Sequence, residues 1–127
     1  MSWDIVLFSS RKKINSIEEV EEPHLIPIDF CEILDNNFIE IIKNKNHREI
    51  KGKDFSVDYF IDEGKVSNKT LNLYGENGLF EIVLLARKYN WQIFDTALGE
   101  MIDLENPSKN GYENFQSYFK LIIQNEF

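Results

Sequence analysis

The segment Asn77–Tyr89 constrains the fold of this chain most strongly, because its apolar residues surround nearly the whole circumference of a helix. Those apolar side chains are Leu79, Phe80, Ile82, Val83, Leu84, Leu85 and Ala86. A helix that is hydrophobic on almost every side must be covered by other elements. Arg87 and Lys88 suit the negative end of a helix, and Asn90 is predicted to end it. We therefore expect this helix to be the most deeply buried element of the protein.

The rest of the hydrophobic pattern predicts short strands and two further helices. Strands are predicted at Trp3–Phe8, Arg48–Lys51, Asp54–Ile61 and Thr70–Tyr74, and a hairpin at Trp91–Thr96 and Glu100–Leu104. Helices are predicted at Asp29–Ile42, with Asp29 as its N-cap, and at Tyr112–Gln124. This order indicates an α+β fold with an antiparallel or mixed sheet and two to three helices packed mainly on one face. Its first part is compatible with a ferredoxin-like split unit.

The length of the chain, 127 residues, suits a single domain, which we place at residues 1–127. Cys31 is the sole cysteine, so no intrachain disulfide can form, and this suits a reducing compartment. The first residues lack the basic and apolar regions of a signal peptide. The longest apolar run, Ile82–Ala86, is too short to cross a bilayer. We predict a cytoplasmic protein of bacterial type.

The charge balance limits the kind of partner this chain can have. It contains 14 basic and 22 acidic residues, which gives a net charge of −8. Binding to nucleic acid draws on clustered Lys and Arg, and binding to an anionic membrane surface requires positive charge. We therefore expect neither nucleic acid nor membrane as a partner, and a basic protein surface is the natural complement.

The sequence contains no motif for catalysis, metal binding or cofactor binding. Cys31 lies in an apolar helical pattern beside Asp29 and Glu32, whose charges raise the pKa of a thiol, so a structural role is predicted for it. His24 and His47 are the only histidines, and no C-x-x-C, H-E-x-x-H or Walker sequence occurs. We predict no catalytic residue, no metal ligand and no cofactor, and we favour a protein that is not an enzyme.

Two acidic clusters are the candidate partner-binding surfaces. The first cluster consists of Glu18, Glu19, Glu21 and Glu22. It lies in the exposed connection Ser16–Pro27, where a short helical turn is expected, and Trp3 is the candidate aromatic anchor within its charged rim. The second cluster surrounds the predicted hairpin and consists of Asp95, Glu100 and Asp103.

The second cluster also supports alternative interpretations. Its carboxylates, together with Glu105, could offer oxygen ligands to a divalent ion such as Mg²⁺ or Ca²⁺. Asp95 could serve a small carboxylate-based enzyme or a ligand-binding module, because a side chain at the end of an apolar strand is partly buried. A turn-forming role for Asp95 is nevertheless favoured over catalysis. Self-association through an aromatic sheet edge is a further alternative.

Four segments of the chain carry a resemblance to known proteins. They are residues 3–8 (WDIVLF), 72–76 (NLYGE), 91–96 (WQIFDT) and 99–104 (GEMIDL). Together they resemble a family of small uncharacterised bacterial proteins, and this likeness carries no catalytic assignment. In general character, as a small acidic domain without motifs, the chain is also similar to immunity proteins of bacterial toxin systems. The net charge, the acidic stretch and the lack of a catalytic set lead us to expect an acidic binding protein, and the likeness to immunity proteins implies that it inhibits a basic bacterial toxin.

Overall fold

The computed structural model describes the backbone of residues 2–125 and the side chains of residues 2–122. Seven strands form one sheet: β1 (Ser2–Ser9), β2 (Ile41–Asn44), β3 (His47–Gly52), β4 (Phe55–Phe60), β5 (Asn68–Tyr74), β6 (Trp91–Asp95) and β7 (Glu100–Met101). The helices are α1 (Phe30–Asn37), α2 (Glu76–Tyr89) and α3 (Phe115–Asn125). The strand order is β2-β3-β4-β5-β1-β6-β7, and every pairing is antiparallel. The predicted α+β class is confirmed.

The four central strands have the connectivity of two split β-α-β units. β1 lies between β5 and β6 and is antiparallel to both, so β5 and β6 run parallel and are joined through α2. In the same way β1 and β4 run parallel with β5 between them, and α1 lies in their connection. This is the ferredoxin-like arrangement expected for the first part of the chain. The hairpin β2–β3 and the short β7 extend the sheet at its two edges.

The predicted helix Asp29–Ile42 is wrong in its second half. Its start is confirmed, because the Asp29 carboxylate accepts a hydrogen bond from the backbone N–H of Glu32 at 3.0 Å. The helix ends at Asn37, since Phe38 has an extended backbone with φ −126° and ψ 138°. Ile41 and Ile42 then belong to β2, where they pair with β3. These β-branched residues suit a strand as well as a helix, and the pairing with β3 decides between the two.

The predicted burial of Asn77–Tyr89 is confirmed in α2. The helix packs against β4, β5 and β6, and its buried residues are Gly78, Leu79, Phe80, Ile82, Val83, Leu85 and Ala86. It begins after Gly75, whose φ of +89° favours glycine, and a Cβ there would lie 2.5 Å from the carbonyl oxygen of Asp54. It ends as predicted at Asn90, which has a left-handed backbone with φ 61°.

The helices cover one face of the sheet, which we call the helix-covered face. Its buried strand residues include Ile5, Leu7, Ile50, Val57, Leu71, Leu73, Trp91 and Ile93. The ring of Phe30 in α1 lies 5.0 Å from that of Trp91, and the ring of Phe80 in α2 lies 5.4 Å from that of Phe115 in α3. Among the described helices, none is long and apolar enough to cross a membrane.

The opposite face is covered at one end. Ile14 is buried there, and its backbone N–H donates to the side-chain oxygen of Gln92 at 2.7 Å. Gln92 lies opposite Phe8 in the β1–β6 ladder, and Phe8 is buried as well. The part of this face on β3, β4 and β5, with the first half of β1, is the open face; its outward residues include Asp4, His47, Glu49, Asp58, Phe60, Thr70, Asn72 and Tyr74.

Candidate functional site

The first acidic cluster lies on the surface as predicted. Its carboxylates are exposed on two 3₁₀ turns, Ile17–Glu19 and Glu22–His24, which supply the expected helical turns. The segment is fixed to the end of β1, because the N–H of Arg11 donates to the carbonyl of His24 and the N–H of Ile26 donates to that of Ser9, both at 2.8 Å. These acidic side chains therefore project from an anchored backbone.

Trp3 does not lie at this cluster. It is half-buried on the helix-covered face, at the start of β1, where it packs against the core. The acidic segment is attached at Ser9, six residues further along the same strand, which corresponds to about 20 Å at the rise of a β-strand. The structure therefore separates the candidate anchor from the charged rim that it was predicted to serve.

Asp95 has a structural role instead of a surface role. Its side chain is fully buried. One carboxylate oxygen accepts hydrogen bonds from the N–H groups of Ala97 at 2.9 Å and Leu98 at 3.3 Å, and the other accepts from the Tyr112 hydroxyl. Asp95 thus closes the turn between β6 and β7 and ties it to the segment that precedes α3. Its burial corrects its predicted place in a partner-binding surface and agrees with the favoured turn-forming role.

The two remaining members of the second cluster are held by neighbours in the same region. Glu100 is exposed and accepts from the side-chain amide of Asn110 at 2.9 Å. Asp103 accepts from the N–H groups of Asn106 and Glu105, and the bond from Asn106 is the main cause that lowers the pKa of its carboxyl group. Among residues 2–122 no group of three or more His, Cys, Asp or Glu side chains is placed to hold a metal ion.

The open face carries a row of polar and acidic side chains that no single segment of the sequence reveals, and we call it the acidic row. Strand register places Asp4, Asn72, Asp58 and Glu49 side by side across β1, β5, β4 and β3. The Asn72 amide donates to the Asp4 carboxylate at 2.5 Å. At the other end, Asp58 lies directly opposite Glu49, and like charges placed directly opposite destabilise a sheet.

Asp58 is the least satisfied member of the acidic row. Its Oδ1 atom is buried and has no hydrogen-bond partner among the described residues. Its Oδ2 atom lies 4.0 Å from the His47 Nε2 atom, which is too far for a hydrogen bond. Burial, and next the charge of Glu49, raise the pKa of the Asp58 carboxyl group. An ionised Asp58 is therefore a strained feature of the free protein.

A cleft opens beside Asp58, between β4 and β5. The two strands pair only where Ser56–Asp58 meet Asn72–Tyr74, and they separate beyond Asp58. The resulting cleft has a volume of about 650 Å³. It is lined by Asp4, His47, Asp58, Tyr59, Phe60, Asp62, Asn68, Lys69, Thr70, Asn72 and Tyr74. This volume lies in the range of ligand-binding pockets in proteins.

Lys69 bridges the two separated strands. Only 6% of its surface is exposed, its ammonium donates to the Phe60 carbonyl, and its Nζ atom lies 3.1 Å from a carboxylate oxygen of Asp62. The Cys31 thiol lies beside them, 3.7 Å from the same carbonyl oxygen. Burial is the main cause that raises the pKa of this thiol, which agrees with the predicted structural role of Cys31.

The strain at Asp58 predicts that Asp58→Asn stabilises the protein at neutral pH. The pKa of the Asp58 carboxyl group is higher in the folded protein than in the unfolded chain. Asp58 therefore contributes most to stability at a pH below the unfolded-state pKa, where it is protonated in both states, and this contribution is lost as the pH rises through the folded-state pKa. We expect a gain of about 0.2–1 kcal/mol in the free energy of unfolding at pH 7, which shrinks towards zero at acidic pH. Urea denaturation at several pH values measures it. Glu113→Gln, at an exposed residue, is the control, and a less stable Asp58→Asn protein at pH 7 contradicts the prediction.

Comparisons with known proteins identify no relative of this chain. No protein-family model matches the chain, no curated protein matches it significantly, and no solved structure does so. The two candidate sites are the first acidic cluster and the cleft beside the acidic row. They lie on different parts of the surface, because the cluster is attached at the end of β1 and the cleft lies between β4 and β5.

Proposed function

We propose that this protein is an acidic binding protein whose partner is a basic protein. The observation that carries the proposal is the exposed, anchored segment with Glu18, Glu19 and Glu22, which form no ion pair with any other residue in the described part of the chain. Glu21 alone is engaged, at 3.8 Å from Lys12 and 3.3 Å from His24. Carboxylates left without cations are available to a cationic surface.

The backbone of the segment supports the proposal energetically. The N–H of Glu19 donates to the Ser16 carbonyl and that of His24 donates to the Glu21 carbonyl, both at 3.0 Å, so each 3₁₀ turn is closed. A segment that is already ordered loses less conformational entropy on binding than a flexible acidic tail does. Together with the net charge of −8, this favours fast, electrostatically steered association with a basic partner.

The likeness to immunity proteins extends this proposal to a particular class of partner. In that form the protein caps a basic bacterial toxin and inhibits it, and we expect a toxin gene next to its own. The absence of a metal-binding group among the described side chains leaves the divalent-ion alternative without a supporting observation. The partner to test is a basic protein encoded by a gene next to that of this protein, which we call the neighbouring protein.

The test measures association with that neighbouring protein at two salt concentrations. We expect the association rate to fall about tenfold between about 50 mM and about 300 mM salt, because screening weakens steering. The triple variant Glu18→Gln, Glu19→Gln, Glu22→Gln should slow association several-fold. The matched control carries Glu32→Gln, Glu40→Gln and Glu113→Gln, which change the net charge equally at exposed sites elsewhere.

Three outcomes would count against the proposal. The first is no binding by the neighbouring protein at low salt. The second is an association rate that does not depend on salt. The third is an equal loss in both triple variants, because that result would assign the effect to net charge and not to the anchored segment.

A further inference from the structure

We infer that the open face of the sheet is a second contact surface for the basic partner, and that the cleft between β4 and β5 receives an arginine side chain of that partner. The inference rests on the proposed function for the existence of a basic partner. It differs in its site, because it concerns the cleft beside Asp58 and not the segment that carries Glu18–Glu22.

The charges that line the cleft favour a cationic occupant. Three carboxylates line it, those of Asp4, Asp58 and Asp62. Lys69 is the one lysine in the lining, and it pairs with Asp62 and donates to the Phe60 carbonyl. Asp4 and Asp58 are thus the two lining carboxylates left without a lysine or arginine partner among the described residues. His47 is the other basic side chain there, and it remains 4.0 Å from Asp58. A cation in the cleft would therefore offset the negative charge of Asp4 and Asp58, which the basic residues of the lining leave uncompensated.

The Asp58 carboxylate indicates what the occupant must supply. Its side chain is 25% exposed and its nearest basic group is 4.0 Å away, and a guanidinium presents five N–H donors in a planar fork that matches a carboxylate. Two further charged groups face Asp58 from β3: Glu49, directly opposite, and Lys51, which lies 3.3 Å from Glu49. The Lys51 ammonium is thus directed to Glu49, and a donor from outside the chain would relieve the strain at Asp58.

Exposed aromatic rings favour arginine over lysine. Phe60 is 60% exposed and Tyr74 is 41% exposed, and both line the cleft. A planar guanidinium stacks on aromatic faces while it donates to carboxylates, which a compact ammonium does less well. Large aromatic side chains at the surface, next to unpaired charge, are typical of the centre of a protein interface.

The extent of the open face favours a protein surface over a small molecule. The acidic row crosses four strands, a width of about 14 Å at the usual strand spacing. Ile42, opposite Glu49 on β2, continues the row with an apolar side chain that is 52% exposed. One arginine would occupy the cleft, and the remaining row and the apolar side chain would contact the surface around it.

The first experiment isolates the cleft with a single side chain as probe. N-acetyl-L-arginine methylamide is titrated against the protein and followed by backbone amide NMR shifts, with the uncharged citrulline analogue as control. We expect saturable shifts centred on Asp58, Thr70 and Asn72, and little response to the citrulline analogue. Asp58→Asn should weaken arginine binding about tenfold, and Glu113→Gln should leave it unchanged.

Stability and ligand controls keep this test decisive. Asp58→Asn is expected to fold at least as well as the parent, so a loss of binding is not a loss of fold; Phe60→Ala gives a second, independent variant. Shifts that are absent, that are scattered over the surface, or that appear equally with the citrulline analogue overturn the inference. Free arginine that binds about a hundredfold more tightly than the blocked form also overturns it, because it indicates a small-molecule site.

The second experiment separates this inference from the proposed function. With the neighbouring protein as ligand, Asp58→Asn should increase the dissociation rate several-fold, whereas the triple variant at Glu18, Glu19 and Glu22 should act on the association rate. An unchanged dissociation rate in Asp58→Asn overturns the inference and leaves the proposed function standing. An unchanged association rate in the triple variant, with faster dissociation in Asp58→Asn, removes the segment with Glu18, Glu19 and Glu22 from the proposed function and leaves the cleft as the contact with the basic partner.

Discussion

Truncation of Phe80 to alanine will lower the free energy of unfolding by about 3–5 kcal/mol. The ring is fully buried and lies 5.4 Å from the rings of Phe115 and Tyr118 and 6.4 Å from that of Tyr112. It therefore joins α2 to α3 and to the segment before α3, and its removal leaves a cavity lined by aromatic side chains. Urea denaturation followed by circular dichroism measures the change.

Phe60→Ala is the matched control for this substitution. The same residue type is removed, but Phe60 is 60% exposed on the open face and its ring is paired only with His47, at 5.2 Å, among the described aromatic contacts. We expect a change within about 0.5 kcal/mol. Similar losses in the two variants would show that the open face contributes to the core, and would contradict the division of the sheet into two unlike faces.

Asp95→Ala will destabilise the protein by about 3 kcal/mol, the second largest effect we expect. The substitution removes a fully buried carboxylate that accepts from the N–H groups of Ala97 and Leu98 and from the Tyr112 hydroxyl. It leaves the half-buried Tyr112 hydroxyl without its acceptor and releases the turn between β6 and β7. Thermal denaturation, together with the urea midpoint, measures the loss.

Tyr112→Phe divides this effect into its parts. It removes the hydroxyl and keeps the ring and the bonds from the turn, so we expect a loss of about 1–2 kcal/mol. In the double variant the two losses should be less than additive, because both substitutions break the same bond. Strict additivity would argue against a direct bond between the two side chains, and a neutral Asp95→Ala would argue against a structural role for this carboxylate.

The hydrophobic pattern within each segment explains which helices and strands are predicted correctly from the sequence. Helix α2 and the strands β1, β4 and β5 have a pattern that fits one kind of element, and they lie within two residues of their predicted limits. The stretch from Phe38 to Ile42 fits both periods, and its pairing with β3 is a contact that forms only in the folded protein. The helix predicted from sequence therefore runs into a segment that pairs as a strand with β3 in the folded protein.

The candidate sites differ in the same way. Glutamates in a polar connection that ends in two prolines are evident from sequence, and the structure places them at the surface. The alternation in β4 also places Asp58 on the face opposite Val57. Its neighbours in the acidic row, however, come from positions 4, 49 and 72, and strand order and register bring them together. No pattern within one segment of the chain carries that information.

The two edge strands limit how this sheet can meet another protein. β2 contains four residues and β7 contains two. A partner that adds a strand gains affinity from a long run of main-chain hydrogen bonds, and short edges offer few of them. This disfavours self-association along a sheet edge and directs recognition to side chains on the face. Specificity would then reside in a few exchangeable residues, so that relatives with the same backbone could discriminate between partners through single substitutions in the row.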